Sequence, residues 1–199
     1  METRVQRARK ESLPLQSGAM HADIDQILFT REVIEDRVKE MGAQVTGVWR
    51  EKPLTVVVVL KGAFVFAADL IRHIAQPCDM VFVRAASYGN GTASNGKPSL
   101  DVPSDVEWKG RHVLVVEDIV DTGRTVTELV AALTKKGAAK VRVCAFLDKP
   151  ARREVPVEIE FVGFALEGSP FVVGYGLDFA GRYRNLPFIG TLTSAAQKG

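Results

Sequence analysis

Residues 113–125 read VLVVEDIVDTGRT. The apolar half is too continuous for a strand with one wet face, so His112–Val116 is expected to form a strand covered on both sides. It leads into adjacent carboxylates, Glu117 and Asp118, and then Asp121, Thr122, Gly123, Arg124 and Thr125 open a helix expected from Thr125 to about Lys136, with Gly137 as its stop. Working outward, LTVVVVL at Leu54–Leu60 predicts a second buried strand, followed by a helix from Ala63 to about Ala75. Met80–Ala86 and Val141–Leu147 predict further strands. Upstream, Thr30 suits a helix N-cap, and Val33, Ile34, Val38, Met41, Val45 and Val48 recur at helical spacing behind it. Strands alternating with helices predict an α/β fold with a doubly wound, mostly parallel sheet, whose ligands belong at the strand C-termini.

The rest of the chain punctuates this pattern. Tyr88–Glu107 is rich in Gly, Ser, Asn and Pro without apolar periodicity, and is expected to be a long loop of the lid type. Past Lys149 the alternation stops; Glu158–Phe164 and Phe171–Tyr175 read as short strands joined by the turn Glu167–Pro170, and are assigned to a small β-rich hood over the strand ends. Residues 1–20 carry Arg4, Arg7, Arg9 and Lys10 with no apolar core and are expected to be a flexible basic tail; interspersed Glu2 and Glu11 count against a targeting presequence. A single domain is expected over 21–192, with a second tail at 193–199 that is unstructured from Ala195 onward.

Composition narrows the function. With 199 residues, 46% hydrophobic and 25% charged, the chain is an ordinary globular one. A net charge of +2 gives no basic face for nucleic acid and no general attraction to membranes, and the most apolar stretch, Leu54–Ala68, is broken by Lys61 and too short to cross about 30 Å of hydrocarbon. Cys78 and Cys144 sit in or beside apolar stretches without CxxC spacing, which predicts buried thiols in a reducing, cytoplasmic setting.

The chemistry is concentrated after the central strand. Backbone N–H groups at a helix start, a Gly that permits close approach and Thr hydroxyls make Thr122–Thr125 an anion cradle. Beside it, Glu117 and Asp118 can accept hydrogen bonds from a sugar diol or hold hydrated Mg2+, a division of labour that describes a sugar 5-phosphate site. Neither GxxxxGK[ST] nor a GxGxxG following a strand occurs, so ATPase and dinucleotide readings lose their support.

VVEDIVDTGRT resembles the signature of the type I phosphoribosyltransferases, which bind 5-phosphoribosyl 1-pyrophosphate (PRPP). VVLKGAFVFAADL (58–70), RAASYG (84–89), LDKPARR (147–153) and FVVGYGLDFAGRYRNL (171–186) narrow the resemblance to the hypoxanthine-guanine phosphoribosyltransferases, in matching order from Leu28 to Leu192. The resemblance implies purine salvage: Mg2+-dependent transfer of phosphoribosyl from PRPP to hypoxanthine or guanine, giving IMP or GMP and pyrophosphate, in a homodimer or homotetramer. A xanthine-preferring transferase, or a PRPP-sensing regulator of the same fold, are the alternatives.

Carried over residue by residue, the resemblance makes Glu117 and Asp118 the acidic pair at the ribose hydroxyls and metal, and Asp121 the general base at purine N7, where its local alternative is a helix N-cap. Thr122–Thr125 match the 5-phosphate loop, in which the Arg124 backbone N–H is expected to matter more than its side chain, and Ile119, Val120 and Asp121 before it count among the substrate-binding residues. Lys61 and Gly62 match a pyrophosphate loop that often contains a non-proline cis peptide, and Ser87 and Tyr88 the start of the lid. Lys149 matches the donor to the purine 6-oxo group, Phe171 the ring that stacks on the base, and Val172 the backbone contact to its edge. Asp178 matches a Mg2+ carboxylate and Arg184 a pyrophosphate contact. Taken alone, Lys61–Gly62 reads as a strand-ending turn, Phe171 as a strand residue entering the core, and Lys149, Asp178 and Arg184 as surface charges. Phe179 departs from the family's usual Tyr, and LEGSP before Phe171 is longer than usual.

Overall fold

The computed structural model describes residues 22–50, 52–86 and 99–197. Its main sheet has six strands: β2 (Leu54–Leu60), β3 (Cys78–Ala86), β4 (Ser99–Asp101), β5 (His112–Val120), β6 (Lys140–Asp148) and β7 (Phe161–Ala165), in the order β4-β3-β2-β5-β6-β7. All neighbours are parallel except β4, which lies antiparallel on the edge of β3. Successive strands run outward in opposite directions from the β2/β5 boundary. The crevice above the C-termini of β2 and β5 is therefore the topological switch point, where open α/β sheets bind ligands.

Side-chain alternation divides the sheet's two faces. Val56, Val58, Leu114, Val116 and Phe146 pack under α1 (Arg31–Trp49) and α2 (Phe64–Ile71). Val57, Val59, Val113, Val115 and Ala145 pack under Leu129 and Leu133 of α3 (Arg124–Lys135). Both faces being covered explains why the strands are continuous apolar runs. Thr30 caps α1 as expected, its hydroxyl accepting from Val33 N at 3.4 Å. Val33 and Val48 lie outside the buried stripe, which instead takes in Arg37, whose guanidinium donates to the carbonyls of Val162 and Gly163 and to Glu40.

Several boundaries differ from the sequence reading. α2 ends at Ile71, because residues from Arg72 onward turn back so that His73 packs directly on Gly42 of α1. The expected long loop contains β4, held to β3 at Arg84↔Asp101, and its far end is fixed by Trp108 just beyond it, buried with its Nε1 donating to Pro103 O. The strand expected at Glu158–Phe164 is β7, and it extends the main sheet on β6 rather than joining the hood. The hood is a separate antiparallel sheet of β1 (Ile24–Phe29), β9 (Ile189–Leu192) and β8 (Val172–Val173), in the order β1-β9-β8. Residues 194–197 form a turn rather than a loose tail; Ala196 is buried with the hood's apolar cluster, and its N–H reaches Thr193 Oγ1. The tail expected at 1–20 lies outside the described residues. Cys144 is buried but Cys78 only half-buried, and both are free thiols. No helix among the described residues is long and apolar enough to cross a membrane.

Candidate active site

Strand β5 ends at the switch point and delivers its carboxylates there. Glu117 is buried at 8% exposure, and its Oε2 has no hydrogen-bond partner among the described residues. Burial first, then the charge of Asp118, pushes Glu117 well above the usual carboxylate range. Asp118 is raised too, by burial, with backbone hydrogen bonds and the Arg184 charge opposing. An orphaned buried oxygen beside a second desolvated carboxylate is a hard-oxygen donor set that suits Mg2+. Asp178 stands apart from this pair: no three acidic, His or Cys side chains converge among the described residues. Its Oδ1 pairs with Arg184 at 2.7 Å, and its Oδ2 accepts from Gly181 N at 2.8 Å.

The segment after β5 builds the cradle. Gly123, at φ +86°, is the N-cap of α3 and turns the chain sharply enough to leave the helix's first N–H groups facing outward. Thr122 braces this turn twice: its hydroxyl accepts from Arg124 N at 3.4 Å, and its carbonyl accepts from Glu154 N and Val155 N, each at 3.0 Å. The Arg124 side chain turns to Glu154. Val120 buries its side chain in the core and Ile119 is half-buried, while Ile119 N donates to Asp118 Oδ1 at 2.9 Å. Thr125 is half-buried in the first turn of α3.

Asp121 is not the helix N-cap. Arg152, on the short 3-10 turn Pro150–Arg152, places Nε 3.1 Å from Asp121 Oδ1 as an ion pair outside hydrogen-bond geometry, so that oxygen keeps an unused acceptor position. Lys149 comes alongside because β5 and β6 pair in register at Val120↔Asp148 and Lys149 N donates to Val120 O at 3.0 Å. Lys149 is buried at 7% exposure. Burial holds its ammonium below the usual lysine value, with Asp121 opposing and Arg152 adding to the shift. Arg152 and Arg153 carried no assigned role in the sequence. Arg153 pairs with Asp148, and its Cδ lies close enough that a Cβ on Gly123 would meet it at 3.0 Å, so this segment backs the cradle.

Opposite, the Leu60–Lys61 peptide is cis, as the resemblance implied for this loop. Lys61 is exposed, and Gly62 lies flat on Asp118. Gly176 packs in turn on the Gly62 carbonyl, and Arg184 Nη1 donates to Gly176 O at 2.6 Å, which places Arg184 and Asp178 beside the Lys61–Gly62 loop. Val172 is buried in β8. Phe171 is 47% exposed, with its ring edge-on to Phe179 at 5.4 Å, so it is available to a ligand rather than committed to the core. Ser87 and Tyr88 lie outside the described residues.

Comparison with known proteins places this architecture. The phosphoribosyl transferase domain family matches residues 25–180. The chain is 42% identical over 176 residues to the hypoxanthine-guanine phosphoribosyltransferase of Bacillus subtilis, covering 88% of this chain and 97% of that protein. It is 42% identical over 173 residues to the hypoxanthine phosphoribosyltransferase of Haemophilus influenzae, covering 85% and 94%. The crystal structure of a Staphylococcus aureus hypoxanthine phosphoribosyltransferase superposes with a TM-score of 0.83 at 37% identity, covering 90% of this chain and 97% of that one. With a matching sheet, a matching motif order and identity at this level over nearly all of its length, the chain belongs to the phosphoribosyl transferase domain family, on its hypoxanthine-guanine phosphoribosyltransferase branch.

Proposed function

We propose that the protein transfers phosphoribosyl from PRPP to hypoxanthine or guanine, giving IMP or GMP and pyrophosphate. The observation that carries this reading is the pairing of Asp121 with Lys149 at adjacent strand ends. A 6-oxopurine presents N7 and O6 along one ring edge, and neighbouring parallel strands stand about 4.8 Å apart, so a base at one strand end and a donor at the next can meet both atoms. The Lys149 ammonium offers hydrogen only, which favours the 6-oxo acceptor over the amino group of adenine.

In this reading the Thr122–Thr125 cradle holds the 5-phosphate, and Glu117 and Asp118 hold the ribose hydroxyls. As the bond from C1 to the pyrophosphate oxygen breaks, a purine ring nitrogen bonds to C1 and the Asp121 carboxylate takes the N7 proton. The buried acidic pair lowers the energy of the positive charge developing on the sugar. Lys61, the Gly62 backbone and Arg184 receive the diphosphate, and Phe171 stacks on the base with Val172 backbone groups at its edge. Glu117 and Asp118 would hold Mg2+ at the ribose and Asp178 at the diphosphate; the ion, when bound, neutralises the leaving group. Closure of the segment beginning at Ser87 and Tyr88 would exclude water. A cytoplasmic enzyme working as a homodimer or homotetramer completes the reading.

The test is a spectrophotometric transfer assay with PRPP and Mg2+, offering hypoxanthine, guanine, xanthine and adenine separately, with and without EDTA. Turnover of the first two, abolished by EDTA, with none of adenine, is the expected result. Turnover of xanthine above both would make the protein a xanthine-preferring transferase, and PRPP binding without reaction of any base would make it a regulator.

A further inference from the structure

Tyr175 has a geometry that its backbone alone does not favour. It is a bulky residue at φ +48°, in the left-handed region, yet it is 7% exposed, and its ring packs against Phe146 at 4.9 Å. Its hydroxyl donates to Asp69 Oδ2 at 2.8 Å, a partner 106 residues away on α2. That helix begins immediately after the Lys61–Gly62 loop. On its other side Tyr175 is built into the segment that carries Asp178 and Arg184. Its N–H donates to Leu186 O at 2.8 Å, the next N–H, of Gly176, donates to Arg184 O at 2.9 Å, and Arg184 returns a hydrogen bond to Gly176 O. Gly176 packs so tightly on Gly62 O that a Cβ there would lie 2.2 Å from it. Tyr175 thus joins the two halves of the diphosphate-facing edge at one point.

We propose that Tyr175, through its hydroxyl on Asp69, is a positioning residue for the diphosphate: it sets Arg184 and Asp178 relative to the Lys61–Gly62 loop without touching the substrate. The proposal rests on the phosphoribosyltransferase reading above. The Asp69 side chain is 38% exposed and also meets Arg72 at 3.3 Å, so removing the tyrosine hydroxyl leaves a carboxylate that water and Arg72 can satisfy, and the fold survives. What is lost is the fixed separation. Such losses fall on the ligand that spans both halves and spare the base, whose contacts lie either on other elements, at Asp121 and Lys149, or, with Phe171 and its neighbour Phe179, together on one side of the joint.

The experiment compares Tyr175→Phe, Asp69→Ala and Asp69→Asn with the wild-type protein by calorimetric binding of PRPP and of pyrophosphate, each with Mg2+, and by steady-state kinetics. Tyr175→Phe and Asp69→Ala are each expected to weaken both diphosphate ligands about fivefold, the worth of one hydrogen bond, with the hypoxanthine KM within twofold of wild type. The double variant should be no worse than either single one, because both remove the same bond. Asp69→Asn keeps an acceptor and should retain wild-type binding. Wild-type PRPP affinity in Tyr175→Phe, or equal losses of PRPP and hypoxanthine, overturns the positioning role while the transferase reading stands. A wild-type protein that neither binds PRPP nor transfers from it overturns both.

Discussion

Gly62 lies directly against Asp118: a Cβ built on the glycine would sit 1.4 Å from Asp118 Oδ2. The Lys61–Gly62 loop and the acidic pair are therefore one packed unit, and no side chain can be added at Gly62 without moving the carboxylate. Gly62→Ala is expected to lower kcat/KM by about a hundredfold, the usual cost of misplacing a catalytic group by about 1 Å. Overpacking at one position costs about 1–3 kcal/mol, so the melting temperature should fall by about 2–12 °C. An alanine variant with wild-type kcat/KM would show that Asp118 need not be held where it is.

Asp121 separates chemistry from binding. Its Oδ1 is buried against Arg152, whereas the Thr122–Thr125 turn beside it, which the proposed reading gives to the 5-phosphate, is built largely from backbone. Asp121→Asn keeps shape and hydrogen bonding but not basicity. Turnover should fall by about 10²–10⁴-fold, with PRPP affinity changed less than about threefold. Parallel losses in kcat and in PRPP binding would remove Asp121 from the role of base.

These residues were legible in the sequence because their signal is local: a β-branched run, two carboxylates and a Gly-Thr turn occupy consecutive positions. The core of the sheet was legible for the same reason. The hood was legible only in part: Phe171–Tyr175 reads as one of its strands and contains β8, but β1 and β9 give no such signal, β1 because register shifts at Ile24/Gln26 and Ile27/Phe29 break the alternation by which a strand is recognised. β7 was visible as a strand but not as a member of the main sheet, since its partner is chosen by tertiary packing: Gly163 lies against Phe146 O, where a Cβ would come within 2.3 Å. Tyr175 and Arg152 escaped notice because each acts through a partner remote in sequence.

On the proposed reading, Lys149 ties base recognition to pH. Burial holds its ammonium below the usual lysine value of 10.5. As pH rises through that lowered value the charged donor is lost, and the hypoxanthine KM should climb several-fold while the PRPP KM stays flat. Stability moves the other way. The unfolded chain binds this proton more tightly than the folded one, so between the lowered value and 10.5 the Lys149 contribution to stability rises with pH. In Lys149→Met both dependences should vanish; an unchanged alkaline rise in hypoxanthine KM would assign it to another group.

Phe171 owes its ring plane to Phe179, which meets it edge-on at 5.4 Å while nearly half of Phe171 stays exposed. An aromatic pair of this kind is worth about 0.5–1.5 kcal/mol. Phe179→Ala should raise the KM for hypoxanthine and guanine about three- to tenfold and leave the KM for PRPP in place. Phe179→Tyr, which restores the residue usual in the family, should keep wild-type values; base affinity unaffected by alanine would mean that Phe171 holds its plane unaided.

Two glycines of α1 should respond in opposite directions. Gly47 is exposed in the helix interior, and a Cβ there meets nothing within 4 Å. Glycine in such a position costs a helix about 0.5–1 kcal/mol relative to alanine, through the freedom it has in the unfolded chain. Gly47→Ala is expected to raise the melting temperature by about 1–4 °C with activity unchanged. Gly42 faces inward, where a Cβ would lie 2.4 Å from His73 Cβ and 2.6 Å from His73 O, so a substituent must push α2's exit away from α1. Gly42→Ala should therefore destabilise by about 1–3 kcal/mol. The identical substitution five residues apart on one helix then reads packing against propensity, and equal shifts for both would show that the α1/α2 contact at His73 is looser than its geometry implies.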